Sequence, residues 1–221
     1  MCRTTISVPR VPRRSSVLVL TGILLISLNL RPAAVSVGPV LDELRDELDM
    51  GGVSAGVLTS LPVLAFGVFG ALAPWAARRV GAHRVTLLAL LAVAVGLGSR
   101  AVVHHEAAFL LLSLLAVAGM AMANVLIPSL VRLHFPDRIG LLTALYTTSL
   151  SIGLTSAFLL TVPVADALGG WRYGLGIWAA LALVAVLPWF GLVRHDTRLP
   201  AATDAPTSTL SVTTPEKGAA T

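Results

Sequence analysis

Six long apolar stretches, at residues 16–41, 53–75, 82–103, 107–133, 139–164 and 171–193, follow one another with only short polar breaks between them. A helix needs about 20 mostly apolar residues to cross the hydrocarbon core, where backbone polar groups must be satisfied within the segment itself. Each stretch is long enough. The sequence therefore predicts an all-α membrane protein of six transmembrane helices, whose short Gly- and Pro-rich breaks link antiparallel neighbours. The expected organisation is a basic head at residues 1–15, a six-helix bundle at 16–193 and a Thr/Ala/Pro-rich tail at 194–221. The tail offers too little apolar surface to offset the entropy of ordering it, so it is expected to be disordered.

Charge narrows the partners. The chain is 56% hydrophobic and 12% charged with a formal net charge of +5, far from the quarter or so of charged residues usual in soluble domains. Its basic residues fall in the breaks and form no continuous face or aromatic-interleaved patch, so no nucleic acid is expected. The lipid bilayer is the expected partner of residues 16–193. Basic residues near span ends accumulate on the cytoplasmic side. An inside N-terminus puts Arg3, Arg10, Arg13, Arg14, Arg78, Arg79, Arg84, Arg132, Arg138, Arg194, Arg198 and Lys217 there, leaving Arg45, Arg100 and Arg172 outside. Both termini are then cytoplasmic in a multi-pass membrane protein. Trp75 and Trp189 at one side, with Trp171 and Tyr173 at the other, fit interfacial belts, while Trp178 lies deeper as a packing residue.

One charge lies far from either end of its span. Arg31, in the run Asn29-Leu30-Arg31-Pro32, is about 22 Å along the axis from Ser16 at 1.5 Å per residue. A charge at that depth is costly unless it has a partner or a water-filled cavity to face. Arg31 could snorkel outward or pair with Asp42 or Glu43. Alternatively it could face a central cavity and attract an anionic or electron-rich solute, with Pro32 loosening the helix beside it.

The only two asparagines, Asn29 and Asn124, each stand a few residues before a proline, Pro32 and Pro128, in spans that run in opposite directions. A three-plus-three inverted repeat with interrupted helices at the binding site would produce this pattern. Buried asparagines also hydrogen-bond between helices, and both readings stay open. Tyr146 and Thr147, with Thr148 and Ser151, make a hydroxyl-rich stretch that could contact solute or bond back to its own helix. Small residues spaced four apart, Gly52 with Gly56 and Gly153 with Ala157, suit close helix packing. Arg78, Arg79 and Gly81, between the second and third spans, form a positive cytoplasmic link that could also act as a gate. No Cys/His metal spacing, phosphate-cradling loop or activated serine is present, so neither an enzyme nor a cofactor is expected.

The run Leu28-Asn29-Leu30-Arg31-Pro32-Ala33-Ala34, followed by Ser36-Val37-Gly38-Pro39-Val40-Leu41, Leu61-Pro62-Val63, Leu72-Ala73-Pro74, Arg78-Arg79-Val80-Gly81 and Gly169-Gly170-Trp171-Arg172, resembles the cyanate and nitroimidazole transporter family of the major facilitator superfamily. The resemblance implies the amino-terminal six-helix half of a secondary transporter of a bacterial inner membrane that moves a small anionic or polar solute by alternating access. A second six-helix half, or a second copy of the chain, would supply the other wall of the cavity. The superfamily usually has an acidic residue where Arg78 stands. The alternative expectation is a non-transporting six-helix accessory or scaffold protein.

Overall fold

The computed structural model describes residues 13–194, with side-chain surroundings at residues 18–190. The predicted tail beyond residue 194 and most of the predicted head lie outside the described residues. The helices are α1 (Arg13–Val35), α2 (Leu41–Glu47), α3 (Gly52–Ala65), α4 (Ala71–Val80), α5 (Ala82–Arg100), α6 (Glu106–His134), α7 (Ile139–Leu168) and α8 (Trp171–Arg194). Among the described residues six units are long and apolar enough to cross a membrane. They are Leu18–Glu47, Gly52–Val80, Ala82–Arg100, Glu106–His134, Pro136–Leu168 and Trp171–Phe190. The first combines α1 with a 3-10 turn at Gly38–Val40 and α2. The second joins α3 to α4 through a π-helical turn at Phe66–Gly70.

The first span packs on the fourth, fifth and sixth, the third on the fourth and sixth, and the second mainly on the fourth. Lipid tails are as apolar as Leu, so burial alone does not drive helices together and close backbone approach matters more. Gly96 on α5 shows this: a Cβ there would stand 2.7 Å from the carbonyl oxygen of Leu112 and the amide of Ala116 on α6. Buried polar contacts add direction. The indole Nε1 of Trp178 donates to Thr161 Oγ1 at 3.0 Å, joining α8 to α7. Trp178 thus packs as expected, but Trp171 and Trp189 are also buried, 2% and 0% exposed, and form no belt. A tryptophan at a span end is amphipathic enough for either place, and here neighbouring helices cover it.

At the end carrying Glu47, Arg172 ties three links together. It reaches Glu47 Oε1 at 2.7 Å through Nη2, donates through Nη1 to the carbonyls of Ala101 and Val103 at 3.1 and 2.8 Å, and lies over the Trp171 ring. The Trp171 indole N–H donates to the other Glu47 oxygen. At the opposite end Gly81, at φ +100°, turns α4 directly into α5. That left-handed φ favours a residue without Cβ.

Burial is uneven in a pattern of three. In the most apolar window of the second and of the fifth span 28% of residues are buried, against 44–56% in the other four. The second and fifth are the middle members of the two triplets, so the two positions match as in a three-plus-three repeat. Their outer faces carry exposed apolar side chains such as Val63, Leu64, Val68, Ile152 and Leu159.

Candidate functional site

Pro32 shapes the first span because it has no N–H to give the carbonyl of Leu28, four residues back. The α-helix ends at Val35, the Ser36 amide closes on Pro32 O at 3.0 Å, and the chain passes into the 3-10 turn. Arg31 stands in the last full turn before that break. Its side chain is exposed, and among the described residues neither Asp42 nor Glu43 forms an ion pair with it.

A cavity of about 350 Å³ opens beside it, walled by the first, second, fourth and fifth spans. Arg31, Asn124 and Thr59 are its polar lining residues, set among Ala34, Pro62, Phe66, Met120 and Leu150. The second span is irregular beside this space. Pro62 removes one rung of its ladder, and the π turn that begins at Phe66 widens the next; both are recognised causes of helix distortion. Pro128 does the same on α6, where the carbonyl it deprives of a donor is that of Asn124. Asn124 therefore brings an amide side chain and an under-bonded backbone carbonyl to one place.

The chemistry of this lining is one-sided. The guanidinium offers five donors in a plane and stays charged, Asn124 can donate and accept, and the Thr59 hydroxyl is shared with the carbonyls of Ala55 and Gly56 at 3.1 and 3.0 Å. Among the described residues no carboxylate lines the cavity. A small anion, or a polar molecule with an electron-rich edge, matches such a lining.

The remaining residues singled out in the sequence lie elsewhere. Asn29, 1% exposed, points away from the cavity and donates from Nδ2 to the carbonyl of Trp178 on α8 at 3.1 Å. Its position two residues from Arg31 turns it about 200° around the helix, toward the bundle interior. Tyr146 is half-buried against the core, and Thr147 is exposed and donates to Thr143 O at 2.7 Å. Neither lines the cavity; Leu150, one turn along the same helix, does. Arg78 and Arg79 are exposed, Arg79 lying 5.2 Å from the centre of the Trp75 ring. Among the described residues, neither reaches across to another span.

Two residues escaped sequence reasoning. Thr59 is one of many hydroxyls in apolar spans, and its only flag is the proline three residues later. Arg100, read as an external-link residue, is 1% exposed at the end of α5, where Nη2 donates to Ser36 Oγ at 2.8 Å.

The Major Facilitator Superfamily model matches residues 17–217. The uncharacterized transporter YycB of Bacillus subtilis (strain 168) is 41% identical over 80% of this chain and 44% of its own length. From Escherichia coli (strain K12), the 2-nitroimidazole transporter is 30% identical over 85% of this chain and 46% of its own length. The cyanate transport protein CynX of the same strain is 31% identical over 76% and 44%. The crystal structure of peptide transporter POT in complex with sulfate superposes with a TM-score of 0.69 at 18% identity, covering 85% of this chain and 40% of that one. The chain thus spans a little under half the length of the relatives it matches. Six membrane-crossing helices in this packing order, with the family match across nearly all of them, mean that the chain belongs to the Major Facilitator Superfamily, a family of multi-pass membrane transporters and not of enzymes.

Proposed function

We propose that this chain is the six-helix half of a secondary transporter that carries a small anionic or polar solute by alternating access in a bacterial inner membrane, with both termini cytoplasmic. The observation that carries the reading is the Arg31 guanidinium, without an ion-pair partner among the described residues, in a cavity that also presents Asn124 and Thr59 and, among those residues, no carboxylate. A cation held at such depth costs about 2.5–3.5 kcal/mol in an apolar surround, and a solute anion in a wetted cavity offsets that cost. The poorly buried second and fifth spans support a second wall, a further six-helix half or a second copy, closing the cavity from that side. Asn29, Tyr146 and Thr147 would act at one remove, holding helices, and Arg78, Arg79 and Gly81 would form the cytoplasmic turn at which the halves part.

The test is uptake by the assembled halves in proteoliposomes, using labelled cyanate and a nitroimidazole, the solutes named for two relatives. Arg31→Ala should abolish saturable uptake. Arg31→Lys should keep part of it, since it retains the charge and loses the planar donor fork. Wild-type uptake by Arg31→Ala in a well-folded assembly would assign Arg31 to interfacial snorkelling. Saturable transport by the purified monomer would refute the half-transporter reading.

A further inference from the structure

Arg100 is hard to account for by stability. It ends α5 with 1% of its surface exposed, and among the described residues its Nε has no hydrogen-bond partner and no carboxylate pairs with it. What offsets its charge is the carbonyl end of its own helix and one neutral acceptor, Ser36 Oγ at 2.8 Å. A well-packed apolar side chain commonly does as well as a buried charge. The guanidinium gives what an apolar residue cannot, a directional bond to one point of another span.

That point is the break in the first span. Ser36, 0% exposed, is the residue at which α1 gives way, between Pro32 and the 3-10 turn. Arg31, Ala34 and Val35, which line the cavity, occupy the last turn before it. The far end of the same 36–47 segment is held too. Glu47 meets Arg172, and Arg172 in turn holds the carbonyls of Ala101 and Val103, directly after Arg100. Two arginines joined by a three-residue link thus grip the two ends of one segment.

We infer that Arg100 is a positioning residue for the cavity: through Ser36 it fixes the break of the first span, and so the turn that carries Arg31. The function of the cavity itself rests on the transporter reading above; the grip on the break does not. Without the guanidinium, Ser36 and Val37 become free to leave the interior, and the Arg31 turn moves with them.

The full chain, in lipid nanodiscs and with Cys2→Ser, can report this without any solute. Val37→Cys places a thiol at a site 7% exposed and next to the break, and Ala116→Cys places one in the α5–α6 packing at 0% exposure. Thiol reaction at position 37 should speed up at least tenfold on adding Arg100→Met, and somewhat less on adding Ser36→Ala, the milder change. Position 116 should stay within twofold of its starting rate. Arg100→Lys, which keeps a donor for Ser36, should bring position 37 back toward the parent rate. An unchanged rate at position 37 in both Arg100→Met and Ser36→Ala overturns the inference. An equal rise at positions 37 and 116 also overturns it, since Arg100 would then be a general packing residue. Loss of uptake in Arg31→Ala bears on the transporter reading alone, so the two can fail separately.

Discussion

Gly153 on α7 faces the carbonyl oxygen of Leu28 on α1 so closely that any Cβ at position 153 would collide with it. Leu28 is also the residue whose carbonyl loses its helical donor to Pro32. The first and fifth spans therefore touch, backbone to backbone, at the place where the first span has a spare acceptor. A Cα–H of glycine directed at such a carbonyl makes a weak favourable contact. The proline and the glycine, 121 positions apart, act as a pair.

Gly153→Ala should therefore destabilise the bundle by about 1–3 kcal/mol, the usual range for overpacking a tight contact. The neighbouring atom is backbone and cannot swing away. Thermal unfolding in detergent, followed by tryptophan fluorescence, measures it. Gly56→Ala serves as the control: nothing lies within 4 Å of a Cβ at position 56, and the helix should tolerate it or gain slightly.

Asn29 distinguishes an interhelical hydrogen bond from a solute contact. Its Nδ2 donates to the Trp178 carbonyl, and among the described residues its Oδ1 has no partner. Its acceptor side is thus unused, and polar contacts between membrane helices average about 0.6 kcal/mol. Asn29→Ala should lower stability by about 1 kcal/mol and leave the KM for solute uptake within twofold of wild type. A rise in KM of tenfold or more would bring Asn29 back to the binding site.

The spans were legible because apolar length is a property of consecutive residues, and each of the six stretches falls on one long helical unit. What local reading misplaced were the ends. The first span runs on past its break to Glu47, and the fifth runs to Leu168, where Gly169 at φ +85° stops it. Arg31 and Asn124 stood out because charge and amide are rare in apolar spans, and the structure brings them to one cavity. Thr59 did not stand out, since a hydroxyl in a helix has its own backbone to bond. Arg100 was misread for a different reason. A basic residue at a span end looks like a surface residue until the partner is known, and its partner, Ser36, lies 64 positions away.

Pro32 carries the last prediction, because its two effects separate stability from function. Replacing it with alanine restores an N–H at position 32, which can close on the Leu28 carbonyl and continue the ladder of α1. A proline in a helix interior costs about 3 kcal/mol, and less is expected three residues from the end of α1 at Val35. Pro32→Ala should therefore leave the melting temperature unchanged or raise it by a few degrees. The straightened turn, however, draws the Leu28 carbonyl back from Gly153 and carries Arg31 away from Asn124 across the cavity. Saturable uptake by the assembled halves should fall at least tenfold. Pro128→Ala, which restores the donor for the Asn124 carbonyl, should act in the same direction on the opposite wall. A Pro32→Ala protein that melts at or above the wild-type temperature and transports normally would mean that the break in the first span is a packing feature, and that Arg31 does not depend on it for its place.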